Sequence, residues 1–132
     1  MKVFVPYPAV SEANRSDEHW AKKKRRHDQQ KNHTFLTLMS VGKWNIVGQA
    51  THYVPRWNVH LCVHAHHVMD TDNLVGSVKY YRDEVARFLG IDDGNVERLT
   101  FSVSQQKPIA KQRLGVEISI EEAVDASRDV AS

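Results

Sequence analysis

Cysteine, proline and glycine are scarce in this 132-residue chain: one Cys, four Pro and six Gly. A lone Cys62 cannot close an intrachain disulfide, so the fold rests on its core, and nothing points to an oxidising compartment. No apolar run approaches the roughly 20 residues that a membrane span requires. The opening residues lack the apolar core of a signal peptide, so the expected location is cytoplasmic. The chain also has no glycine-rich phosphate loop, no internal repeat and no Ser/His/Asp arrangement in a recognisable context.

With 41% hydrophobic and 26% charged residues, the chain has the composition of one soluble domain with a single core. Its net charge is only +2, but the charge is unevenly spread. Between Arg15 and Lys31 stand seven basic residues (Arg15, Lys22, Lys23, Lys24, Arg25, Arg26, Lys31) and three acidic ones (Asp17, Glu18, Asp28). A basic block in a near-neutral protein suggests a local polyanion site. Five basic residues on a helix are usually a solvated face. Here the absence of an apolar residue from Lys22 to His33, with Trp20 and His27 close by, favours contact with DNA.

Hydrophobic spacing predicts the order βαβαββ. Val3 to Val5 reads as a short strand stopped by Pro6 and Pro8. Ser16, followed by Asp17 and Glu18, is placed to cap a helix running to about Met39, with Gly42 just beyond. Its polar middle is expected to be solvated or to face a partner. Trp57 to His67 alternates as a strand with one buried side. Asp72 or Asn73 would then cap a second helix, with Leu74, Val78, Tyr81, Val85 and Phe88 on its apolar face and Gly90 at its end. Leu99, Phe101 and Val103 mark a third strand. Leu114, Val116, Ile118 and Ile120 mark a fourth, and these last two are expected to form a hairpin across a long basic loop. The expected fold class is α+β (α/β-like), a single domain over residues 1–120 with helices on a mixed sheet and a frayed tail over 121–132.

Asp70, Asp72, Asp92 and Asp93 carry the chemistry. The first two fall where the second strand gives way to a helix, and the others where that helix returns to the next strand. Gathered at one point, by a loop folding back or by a partner chain, they would hold a hard divalent cation that prefers oxygen ligands. The plain alternative is a helix cap and a turn. An EF-hand is excluded, because Leu74 and Val75 stand where that loop needs Asp or Asn and then Gly.

The ordered set Asp70-x-Asp72-Asn73-Leu74, Lys79 with Asp83 four residues on, and Asp92-Asp93 resembles the signature of the RusA-type Holliday-junction resolvases of phages and prophages. The resemblance extends to Val5-Pro6-Tyr7-Pro8 before a loop with Ser11 and Asn14, to Asn14-Arg15 and His19-Trp20-Ala21-Lys22, to Gln105 to Lys107, and to the strand from Val116 to Ile120. Residues 39–55 and the tail have no clear counterpart. It implies a homodimeric, Mg²⁺-dependent endonuclease, with Mn²⁺ as a substitute ion, that binds four-way DNA junctions and cuts two opposed strands. Asp70, Asp72 and Asp93 match the metal positions, and Asp92 is a further ligand or a turn residue. Lys79 would stabilise charge at the scissile phosphate, and no organic cofactor or membrane is involved. The implied DNA contacts are Arg15, Lys22, Lys23, Arg25, Arg26, Lys107, Lys111 and Arg113. The chain departs from the best-known form at Gly76, where that form carries its lysine. Lys79 comes three residues later, nearly one helical turn, so its side chain is expected to keep roughly the same face.

Two alternatives come from other classes. A non-catalytic branched-DNA-binding protein would keep the basic helix but need no metal. A zinc protein would use His60, His64 and His66, since alternate strand residues can chelate.

Overall fold

The computed structural model describes residues 1–12, 18–42, 56–92, 94–108 and 114–123. The elements follow in the order β1 (Lys2–Val5), α1 (Trp20–Val41), β2 (Trp57–His64), α2 (Thr71–Ser77), α3 (Lys79–Leu89), β3 (Leu99–Gln106) and β4 (Gly115–Glu122). The described residues form a small α+β domain with three helices and one mixed sheet of strand order β1-β4-β2-β3. Strand β4 runs antiparallel to both β1 and β2, and β3 runs parallel to β2. The expected hairpin is therefore not formed: β2 lies between the last two strands. Its Leu61 has apolar neighbours on both sides, Ile118 on β4 and Val103 on β3, while Val63 lies between Val116 on β4 and Gln105 on β3.

The alternation read in β2 holds, with Trp57, Val59, Leu61 and Val63 buried. The strand stops at His64, earlier than expected. Ala65 makes one last bond to the Gln106 carbonyl, and His66 and His67 stand exposed beyond it. With Val3 and Val5 of β1, Leu99 of β3 and Val116, Ile118 and Ile120 of β4, these side chains fill the sheet side of the core. Gly115 is obligatory, since a Cβ there would fall onto the Val5 carbonyl oxygen and the Phe4 ring. Glu121 and Glu122 are not tail residues but the last rungs of β4, opposite Asn58 and Trp57; residues 124–132 lie outside the described part.

Helix α1 begins at Trp20 with His19 as its N-cap, the imidazole Nδ1 accepting from the Ala21 N–H at 3.2 Å. The expected cap, Ser16, lies outside the described residues. The polar middle is not all solvated. Gln30, Thr34 and Leu38, four apart, form a buried stripe, and α1 packs against α3 and β1. Thr34 donates its hydroxyl to the Gln30 carbonyl at 2.7 Å, which lets a polar side chain face inward without an orphaned group.

The second predicted helix is two. Asp70, not Asp72 or Asn73, is the N-cap of α2, and the helix breaks at Val78, whose φ of −105° and ψ of 8° leave the α region. Its apolar positions are nevertheless those expected, with Leu74, Val78, Tyr81, Val85 and Phe88 all buried. Gly90 closes α3 in the left-handed conformation at φ 72°, which glycine adopts without a Cβ penalty.

Candidate metal and DNA site

Asp70 is held at the edge of the sheet where β2 and β3 end. One carboxylate oxygen accepts from the Asn73 N–H at 2.9 Å, capping α2. The preceding residue, Met69, is bonded to Gln105 of β3 through both its N–H and its carbonyl. Asp70 lines a cleft of about 550 Å³ together with Ser11, His66, His67, Met69 and Asn73. Open clefts at the carboxyl ends of parallel strands are the usual ligand position in α/β sheets. Inside it, the Ser11 hydroxyl is buried with no hydrogen-bond partner among the described residues. Asp72 is exposed in the first turn of α2, where a carboxylate suits the positive end of the helix dipole.

Asp92 lies at the other end of the sheet. Its side chain accepts from the Gly94 N–H at 2.9 Å and its carbonyl from the Asn95 N–H at 2.9 Å, forming the turn that feeds the N-terminal end of β3. Since β2 and β3 are parallel, the crossover through α2 and α3 starts at one sheet end and returns to the opposite one. Eight strand residues span roughly 25 Å, so the expected gathering of Asp70 and Asp72 with Asp92 is not made within one chain. Asp93 lies outside the described residues. Among the described residues no group of three or more His, Cys, Asp or Glu side chains is placed to hold a metal ion.

The basic helix divides into two roles. Lys22 and Arg25 are exposed and Lys23 is half-buried. Arg26 turns inward instead, its side chain 10% exposed, and donates to Glu12 at 2.6 and 3.0 Å and to Glu18 at 2.8 Å. Burial alone would raise the Glu12 carboxyl. The hydrogen bonds from Arg26 and His27 and their charges outweigh it and hold the group below its usual range. The Glu12 hydrogen bond in turn raises Arg26 against its own desolvation. Arg26, expected on the DNA face, is therefore a brace tying the segment after β1 to α1. Lys107 is exposed just past β3, while Arg15, Lys111 and Arg113 lie outside the described residues.

Lys79 opens α3, and the break at Val78 removes the straight-helix path that would align it with Asp72. Its ammonium sits 5.0 Å from the centre of the Tyr80 ring. Lys31 of α1 approaches the same ring at 5.4 Å, and the His27 imidazole stacks on it at 4.1 Å. Tyr80 thus joins Lys79 to the basic side of α1, a cluster that sequence periodicity does not reveal because its members come from two helices.

The strand histidines are engaged. His60 places one ring nitrogen 2.7 Å from the Ser102 hydroxyl and the other 2.7 Å from Ser104. His64 meets the Gln106 amide at 3.3 Å.

No family model, no curated protein and no solved structure matches the chain. No helix of the described residues is long and apolar enough to cross a membrane.

Proposed function

We propose that this chain is a divalent-metal-dependent endonuclease of the RusA type that cuts four-way DNA junctions as a homodimer. The observation that carries the reading is Asp70, fixed in a cleft at the carboxyl ends of the parallel strands with Asp72 beside it in sequence. Two carboxylates at that edge suit a hard cation such as Mg²⁺, or Mn²⁺ in its place. When bound, such an ion polarises a phosphate oxygen and lowers the pKa of a water for in-line attack on the phosphodiester. Asp70 and Asp72 would hold it on one side. Further oxygen ligands must come from elsewhere, because Asp92 of the same chain is at the far end of the sheet. A second copy supplies them in this reading, which makes the dimer part of the site.

The basic surface supports a nucleic-acid substrate. Lys22, Lys23 and Arg25 on α1, with Lys31 and Lys79 around Tyr80, give a run of cations of the kind that contacts phosphates without reading sequence. Recognition of a branch would then come from the spacing of two such surfaces in the dimer.

A labelled synthetic four-way junction incubated with Mg²⁺ or with EDTA tests this. Paired, symmetric cuts that need the metal are expected. Binding without cleavage under any divalent metal would leave a branched-DNA-binding protein instead.

A further inference from the structure

Helices α1 and α3 pack against each other, but their contact leaves a groove of about 140 Å³ between them. Phe35, Leu38 and Met39 of α1 line it on one side, and Glu84, Arg87 and Phe88 of α3 on the other. A more open hollow of about 300 Å³ adjoins it and shares Phe35, Glu84 and Arg87. None of these residues lines the Asp70 cleft. Phe35, Leu36 and Met39 fall within about one turn of α1 and are all exposed. Clustered apolar exposure of this kind marks an interaction surface, whereas single exposed apolar residues do not.

A carboxylate stands in this apolar groove. The Glu84 side chain is only 8% exposed, yet among the described residues it accepts no hydrogen bond. Its ion pair is with the Arg87 guanidinium, 3.7 Å away on a side chain that is 75% exposed. Burying a carboxylate is costly unless donors surround it. The other acid of the adjoining hollow, Asp28, is already taken by Lys24 at 2.8 Å. Glu84 is therefore the acid whose donor shell is incomplete.

Arg87 shows which group fits. Its guanidinium lies 6.0 Å from the centre of the Phe35 ring, so one cation meets both the carboxylate and the aromatic face. Both contacts are loose. A separation of 3.7 Å is too long for a charge-assisted hydrogen bond, and 6.0 Å is at the outer limit of cation–π contact. A guanidinium arriving from outside the chain would close both distances, with the forked geometry that suits a carboxylate.

We propose that the groove between α1 and α3 is a docking site for an amphipathic helix of another protein, which directs one arginine to Glu84 and seats apolar side chains against Phe35, Met39 and Phe88. Apolar grooves take amphipathic helices in this way. Arg87 is the internal stand-in that the incoming guanidinium displaces. A second copy is the poorer occupant. Among the described residues no helix of this chain sets an arginine among exposed apolar side chains: α1 is polar from Lys22 to His33, and Tyr81, Val85, Phe88 and Leu89 of α3 are buried in its own core.

An NMR titration of the full chain tests this, using a synthetic helical peptide of leucine, alanine and one arginine. A twin peptide carries citrulline, the neutral isostere, in place of the arginine. The arginine peptide should shift the Leu38 and Met39 methyl signals saturably and bind at least about tenfold more tightly than its twin. Glu84→Gln keeps the size of the side chain and should abolish that difference. Arg87→Ala removes an exposed competitor and should tighten binding of the arginine peptide about threefold or more. Should Glu84→Gln fail to fold, the comparison of the two peptides on wild type and on Arg87→Ala still decides, since neither protein is altered at Glu84. Equal affinity for the two peptides, a preference that survives Glu84→Gln, no response at either methyl, or weaker binding by Arg87→Ala overturns the proposal. Self-association of the chain that Glu84→Gln abolishes would make a second copy the occupant and overturns it as well.

Discussion

Gln105 grips Met69 at both ends of its backbone, accepting from its N–H at 2.8 Å and donating to its carbonyl at 2.7 Å. One strand side chain thus substitutes for a ladder rung and fixes the residue before Asp70. Gln105→Ala is expected to cost about 1–3 kcal/mol through the loss of two hydrogen bonds. It should also free the Met69 amide to exchange. Urea denaturation measures the first effect and hydrogen exchange at Met69 the second. Unchanged protection at Met69 would show that Asp70 is held by other means.

The split basic helix predicts two different phenotypes. Arg26→Ala removes a cation that braces Glu12 and Glu18, and leaving those carboxylates part-buried is expected to lower stability by about 2 kcal/mol or more. Replacing Lys22, Lys23 and Arg25 with Ala should leave the melting temperature within a few degrees. It should instead flatten the dependence of junction affinity on salt, by about 0.9 in log–log slope for each phosphate that is no longer neutralised. Equal stability loss in both variants would contradict this division.

Much of the fold is legible in the sequence, because burial of one strand face and one helix face imposes periods that residues must obey. Trp57 to Val63 and Leu74 to Phe88 show those periods, and both sets are buried as read. The polar middle of α1 misleads, since its inward face includes Arg26, His27 and Thr34, side chains that bury by pairing with groups far away in sequence or with their own helix, and Gln30, whose buried amide has no partner among the described residues. Strand order is equally hidden. The runs at Leu99 and Leu114 specify two strands, but nothing local says that β2 will insert between them. The acidic residues stand out by type and spacing, whereas their separation to opposite sheet ends follows from the parallel sense of β2 and β3, which is a property of the whole sheet.

Stability should fall at both ends of the pH range, with identifiable causes. The Glu12 carboxyl is held below its ordinary 4.5, so the stability it contributes is complete above that value. It is lost as pH falls through the depressed folded value, and Glu12→Gln should remove that part of the acid limb. Tyr81 is pushed above its ordinary 10.0 by burial, and its hydroxyl donates to the Tyr7 carbonyl at 2.6 Å. Its contribution is therefore complete below pH 10 and declines above it. Urea midpoints across pH for wild type, Glu12→Gln and Tyr81→Phe check both signs.

If, as proposed, the acidic set is completed by a second subunit, complementation is expected. Asp70→Asn keeps a side chain that can still cap α2, so the variant should fold normally. Under the proposed nuclease reading, Asp70→Asn, Asp72→Asn and an Asp92→Asn, Asp93→Asn double variant should each lose Mg²⁺-dependent cleavage while retaining junction binding. Mixing Asp70→Asn chains with the double variant should restore nicking, since one of the two sites in a mixed dimer then has every carboxylate. No recovery on mixing would place each site within one chain.

Lys79 offers the sharpest test of how this site works. A continuous helix from Asp72 would bring its ammonium over the metal-side phosphate, but the helix breaks at Val78 and the ammonium lies over Tyr80 instead. Lys31 shares that ring from α1, so under the proposed reading the two lysines would present one cationic surface to the same stretch of DNA backbone. Lys79→Ala and Lys31→Ala should therefore weaken junction affinity to a similar extent, with single-turnover cleavage at saturating protein changed less than about threefold, under 1 kcal/mol of barrier. Tyr80→Leu should reproduce the effect, because it removes the ring that positions both cations. A drop of tenfold or more in the saturated single-turnover rate for Lys79→Ala alone would mean something different. It would place Lys79 at the developing phosphate charge, where one preorganised cation is worth about 1.4 kcal/mol or more to the transition state.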